Sequence, residues 1–159
     1  MRGRLRIYLD TAIFNFVVST QNVPIEKGIT LKLLKQISEG KFMAYISETV
    51  LEEIAKAPPQ KRDVLLELTQ EYPLEILGIT EEVEALAEAY LNAKIIPLKS
   101  RNDAVHIAMA TVHGMDAIVS WNFEHMIKLK TKRGVCTINS SMGYHKTIEI
   151  CSPLEVAEP

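Results

Sequence analysis

Polar residues stand at the ends of apolar runs in this chain, where a buried strand has no use for them. Asp10 closes LRIYLD, Asn122 closes DAIVSWN, and Asp103 lies in the opening turn of RNDAVHIAMATVHG. A further acid comes from Glu48, Glu52 and Glu53 of SETVLEEIAK, just past the apolar run KFMAYIS. Each also has an ordinary structural role. Asp10 fits the cap of a helix from Thr11, Asp103 a first-turn acid, the glutamates a solvated face and Asn122 a turn. Convergence is what gives them chemistry. Two carboxylates about 4 Å apart repel by roughly 4 kcal/mol at an effective dielectric near 20, and a third adds to this. A divalent cation removes the repulsion. Mg²⁺ suits one or two direct carboxylates with waters and a substrate phosphate, and such a site activates water against a phosphodiester.

The elements that must position these groups follow from short apolar runs alternating with helical spacing. LRIYLD (5–10), KFMAYIS (41–47), LEILGI (74–79) and DAIVSWN (116–122) read as strands, with VCTIN and TIEIC as two further candidates. IEKGITLKLLKQISEG places Ile29, Leu33, Leu34 and Ile37 on one helical face and links the first two strands as a β-α-β unit. Ser47 caps a helix that ends before Pro58 and Pro59, a second helix covers 60–71, and Thr80 caps TEEVEALAEAYLNA. Asn102 or Asp103 caps the next helix and Gly114 stops it; FEHMIKLK reads as a short helix after Asn122. Strands alternating with helices predict an α/β fold around a mainly parallel sheet. In such sheets the functional crevice lies beyond the carboxyl ends of the strands, where the strand order reverses.

Composition bounds the rest. The 159 residues, 47% apolar and 24% charged, suit one globular domain, and a formal charge of −2 marks no global affinity for nucleic acid or membrane. Asp10 and Asn15 interrupt the apolar stretch a signal peptide requires, and no run approaches the roughly 18 apolar residues of a spanning helix. The expectation is a soluble, cytoplasmic protein with no membrane partner. Cys136 and Cys151 read as reduced, partly buried residues. Absence of a Walker-type loop, G-x-G-x-x-G or G-x-S-x-G removes support for nucleotide-loop and serine-hydrolase readings. A phosphatase-like phosphoacceptor role for Asp10 needs an aspartate two residues on, where Ala12 stands.

YLDT, ISETVLEEI, NDAVHIAMA and IVSWNFEHM, in that order over roughly residues 5–150, resemble the motifs of PIN-domain proteins. DAVHIAMA followed by SWNFEHM is the most specific part. The resemblance implies a three-layer α/β/α sandwich, residues 1–159 forming a single PIN-like domain, with acids meeting at one edge of a mainly parallel sheet. Those acids would hold Mg²⁺ or Mn²⁺ for hydrolysis of RNA phosphodiester bonds. Carried over motif by motif, the first acid is Asp10, the second is Glu53 rather than Glu48 or Glu52, and the third is Asp103. The fourth position, usually aspartate, falls on Asn122. All four are then catalytic residues, and Asp10, Glu53 and Asp103 the metal ligands. Many relatives are VapC-type toxins of type II toxin–antitoxin pairs, which implies an RNA substrate, an antitoxin partner and a homodimer. Asn122 brings no negative charge, and the alternative it supports is a degenerate PIN-like domain that binds RNA or a protein without cleavage.

Around these four, Thr11 and Ser120 are placed to hydrogen-bond a carboxylate or a metal-bound water. Lys99 and Arg101, just before Asp103, are candidates for substrate phosphates. His106, three residues after Asp103, and His125, three after Asn122, read as core-side histidines. KLKTKR (128–133) reads as a solvated helix end, and Tyr8, Phe14, Phe16 and Trp121 as core.

Overall fold

The structure is a computed structural model that describes residues 3–19 and 23–159; the remainder of the expected 1–159 span lies outside the described residues. The order is β1 Leu5–Leu9, α1 Thr11–Val18, α2 Pro24–Ser38, β2 Phe42–Ser47, α3 Glu48–Ala55, α4 Pro59–Glu71 and β3 Leu74–Leu77. It continues with α5 Glu81–Asn92, a 3-10 turn Leu98–Ser100, α6 Arg101–Val112, β4 Ala117–Val119, α7 Leu129–Ser141, β5 Glu149–Cys151 and α8 Pro153–Val156. The strands form a 5-stranded sheet in the order β3-β2-β1-β4-β5, and every pairing is parallel.

Successive strand residues point to opposite faces, so burial of consecutive residues reports cover on both sides. Ile7, Tyr8 and Leu9 of the central strand are all fully buried. The sheet is therefore the middle of three layers. α1 packs on α2 and α4, α5 packs on α6 and α7, and α3 touches both α4 and α6 near the strand ends. From β1 the chain runs outward through β2 to β3, then returns to place β4 on the other side of β1. The strand order reverses between β1 and β4, and the loops leaving those two strands part there.

Local chemistry explains most boundaries. Ser47 accepts from the Thr49 N–H and caps α3, Thr80 accepts from the Val83 N–H and caps α5, and Gly114 ends α6 at φ +70°. Two sequence expectations are corrected. VCTIN is not a strand: it lies inside α7, which buries Thr131, Val135 and Asn139 at four-residue spacing. FEHMIKLK is not a helix either, since the chain turns through 123–126 and α7 starts at Leu129. KLKTKR consequently opens a helix instead of ending one. The caps predicted from Asn102 or Asp103 also shift, with Ser100 at the start of α6 and Asp103 in its first turn. Cys136 is exposed and Cys151 buried.

Ser47 also hydrogen-bonds the Tyr8 hydroxyl at 2.7 Å, tying the α3 cap to the central strand. Replacing Ser47 with alanine should destabilise the protein by about 1–2 kcal/mol, the sum of a lost cap and a buried hydroxyl left short of a partner. Urea unfolding checks this.

Candidate functional site

Asp10 leaves β1 and Ser120 leaves β4 on either side of the order reversal. The Ser120 hydroxyl donates to Asp10 Oδ2 at 2.6 Å, and both residues are buried. Asp10 sits at the N-cap position of α1, yet its side chain makes no capping hydrogen bond. The capping role therefore does not account for it. Its other oxygen, Oδ1, is buried without a hydrogen-bond partner among the described residues.

α3 places its three glutamates in different surroundings. Glu48 accepts from the Ile79 N–H at 3.2 Å, Glu52 is exposed, and Glu53 turns toward the β1 end. Glu53 Oε1 accepts from the Thr11 hydroxyl at 2.8 Å and from His106 Nε2 at 2.5 Å. His106 Nδ1 lies 2.6 Å from the Tyr8 hydroxyl, which in turn meets Ser47. The chain of contacts closes on itself, because Ser47 caps the helix that carries Glu53. His106 belongs to this site and not merely to the core. Its three-residue spacing from Asp103 puts both on one helical face, the signal that could have found it.

Asp103 and Asn122 meet directly. The Asn122 amide nitrogen donates to Asp103 Oδ2 at 3.0 Å, its oxygen accepts from the His125 N–H at 3.0 Å, and its own N–H donates to Ser120 at 2.9 Å. Asn122 thus presents a donor to the acidic cluster and spends its oxygen on the following turn. A cavity of about 370 Å³ beside these groups is lined by Glu53, Lys99, Ser100, Arg101, Asn102 and Asp103. Lys99 reaches it without an ion pair among the described residues, whereas Arg101 is paired with Glu88. Wider openings of about 610 and 810 Å³ lie along α1 and α4 and contain none of these acids.

The fold has a counterpart among solved structures. A chain of VapBC2 from Rickettsia felis, bound in its crystal to a DNA fragment from their promoter, superposes with a TM-score of 0.57 over 92% of this chain and 98% of that chain. The chain has a VapC-like PIN fold. Sequence identity over that match is 14%. No protein-family model and no curated protein matches by sequence.

In this PIN-like fold the electrostatics centre on Asp10. Burial, reinforced by the charges of Asp103 and Glu53, pushes its carboxyl up to about 6 against the opposing pull of His106 and Ser120. Asp103 is raised as well, chiefly by burial, with Asn122 and the nearby histidines working the other way. Burial would also raise Glu53, but hydrogen bonding to His106, its charge and Thr11 outweigh burial and hold Glu53 below its ordinary range. His106 is the mirror case: burial lowers it, and Glu53, Asp10 and Asp103 raise it overall.

Among the described residues, no three His, Cys, Asp or Glu side chains form a ready-made cage for a metal ion. Glu53 is instead turned to His106 and Thr11. The donors nonetheless fit a hard cation that keeps much of its water, because such ions are held through one or two carboxylates. The buried, unpartnered Oδ1 of Asp10 is the oxygen that such a cation would satisfy.

A raised carboxyl binds a proton in the folded state that the unfolded chain, with a pKa near 3.9, has already lost. Stability from this group therefore falls as pH rises from about 4 through 6. Asp10→Asn should then stabilise the metal-free protein by about 1–3 kcal/mol at pH 7.5, with the gain shrinking toward pH 4.5. Denaturant unfolding in EDTA at the two pH values measures it.

Proposed function

We propose that this protein is a Mg²⁺- or Mn²⁺-dependent endoribonuclease, the cytoplasmic toxin of a type II toxin–antitoxin pair. One observation carries the reading: a buried aspartate at the β1–β4 reversal has a free oxygen and two further carboxylates in its field. Such a group is costly to the fold, and a divalent cation offsets that cost. Asp10, Glu53 and Asp103 would hold the ion, directly or through its waters, with Glu53 steadied by Thr11 and His106 at the cavity wall. When bound, the ion supplies an acidified water and positive charge for the leaving oxygen. Ser120 fixes the Asp10 carboxylate, Asn122 fixes Asp103, and Lys99 offers a cation to an RNA phosphate in the same cavity.

The antitoxin partner is proposed from the fold shared with VapBC2, and a homodimer from the motif resemblance alone. The second reading, a PIN-like domain that binds without cutting, is favoured by Asn122. It gives Asp103 a hydrogen-bond donor where a fourth carboxylate would add charge for a metal.

Cleavage of single-stranded RNA in Mn²⁺ should stop with EDTA and fall at least about 100-fold in Asp10→Ala and Asp103→Ala proteins, the scale of lost electrostatic catalysis. Equal cleavage by wild type and variants would falsify the nuclease reading. Mn²⁺-dependent thermal stabilisation without cleavage would favour the binding module. Asn122→Asp should tighten Mn²⁺ binding, read by isothermal calorimetry.

Lys99→Glu should weaken RNA binding and reduce the slope of log affinity against log salt by about 1–2, as expected for losing a phosphate contact and adding a repulsion. An unchanged slope in fluorescence anisotropy would remove Lys99 from the substrate path.

A further inference from the structure

We infer that His106 is a positioning residue that holds Glu53 in its working orientation through a hydrogen-bonded line anchored in the sheet. The inference rests on the metal-dependent reading above and concerns a residue outside the acidic set.

The ring is 2% exposed and both nitrogens are engaged, Nε2 with Glu53 Oε1 at 2.5 Å and Nδ1 with the Tyr8 hydroxyl at 2.6 Å. A carboxylate only accepts, so Nε2–H is the donor to Glu53. Tyr8 is fully buried in the central strand, and its hydroxyl contacts Ser47 at 2.7 Å. Position is therefore passed from the fully buried central strand, through His106, to a carboxylate whose side chain is 29% exposed. Without the ring, Glu53 keeps the Thr11 hydroxyl and the exposed Asn102 side chain, neither of which ties it to the central strand. A half-buried glutamate that has lost its link to the central strand samples more rotamers.

His106 does not line the cavity that Glu53, Lys99 and Asp103 share. It therefore acts through Glu53 and not on substrate. Groups behind a metal ligand commonly set affinity by about 10- to 100-fold, because they fix the ligand's orientation before the ion arrives.

The test is calorimetric titration of Mn²⁺ into the full-length metal-free protein at one pH, with no RNA present. His106→Ala should weaken Mn²⁺ binding by about 10- to 100-fold. His106→Gln, which can return an amide N–H to Glu53, should recover most of it. Circular dichroism and thermal melting establish that each variant is folded. If His106→Ala does not fold, Tyr8→Phe removes the anchor behind the ring at nearly constant volume and should also weaken Mn²⁺ binding. An unchanged Kd in the folded variant, or His106→Gln as weak as His106→Ala, overturns the inference and leaves the nuclease reading standing. Absence of Mn²⁺ binding by the wild type overturns the metal-dependent reading and this inference with it.

Discussion

Keeping the Asp10 carboxylate out of water is the constraint around which the rest of this structure is arranged. The parallel pairing of β1 with β4 carries the residue to the sheet edge and brings Ser120 against one of its oxygens. Three helices then supply the remaining polar groups. α1 contributes Thr11, α3 contributes Glu53, and α6 contributes Asp103 and His106. Each element has its own hydrophobic reason to pack where it does, yet their ends meet at one place. The polar cluster is a product of the topology, since the order reversal parts the chain beside β1 and β4.

Charge is distributed unevenly within that cluster. Glu53 and His106 form a close pair that favours ionisation of both, while Asp10 and Asp103 carry the burden of burial. The pair lies partly toward the cavity and Asp10 lies deep. Such an arrangement divides the site into a self-satisfied half and an unsatisfied half. The unsatisfied half is where an external cation would gain most, and Asn122 stands beside it with an amide donated to Asp103.

Much of the architecture was legible because the strands are short apolar runs with polar stops, and because Ser47, Thr80 and Gly114 punctuate the helices by ordinary capping chemistry. The miss at 135–139 has a clear cause. Two of the three residues that α7 buries at four-residue spacing, Thr131 and Asn139, are polar, so the apolar period is masked while Val135, Thr137 and Ile138 suggest a strand. Gly134 deepens the disguise: a Cβ there would stand 2.8 Å from the Ile95 side chain in the segment after α5, so close packing, and not helix propensity, suits glycine there. Asn139 is satisfied by partners distant in sequence, accepting from the Tyr90 hydroxyl and donating to Thr111. In the site, the four motif positions could be named, but their pairing could not. That Asn122 donates to Asp103, or that His106 joins Glu53 to Tyr8, depends on helix rotation about an axis that one-dimensional spacing constrains only loosely.

The double engagement of Ser47 has an evolutionary consequence. One hydroxyl both starts α3 and receives the line that runs back through Tyr8 and His106 to Glu53, the sixth residue of that helix. Selection for a sturdier helix start and selection for the aim of the carboxylate therefore act on the same atom. Drift at this position would be filtered twice wherever the acids are kept, and once, through the helix start, where they are lost.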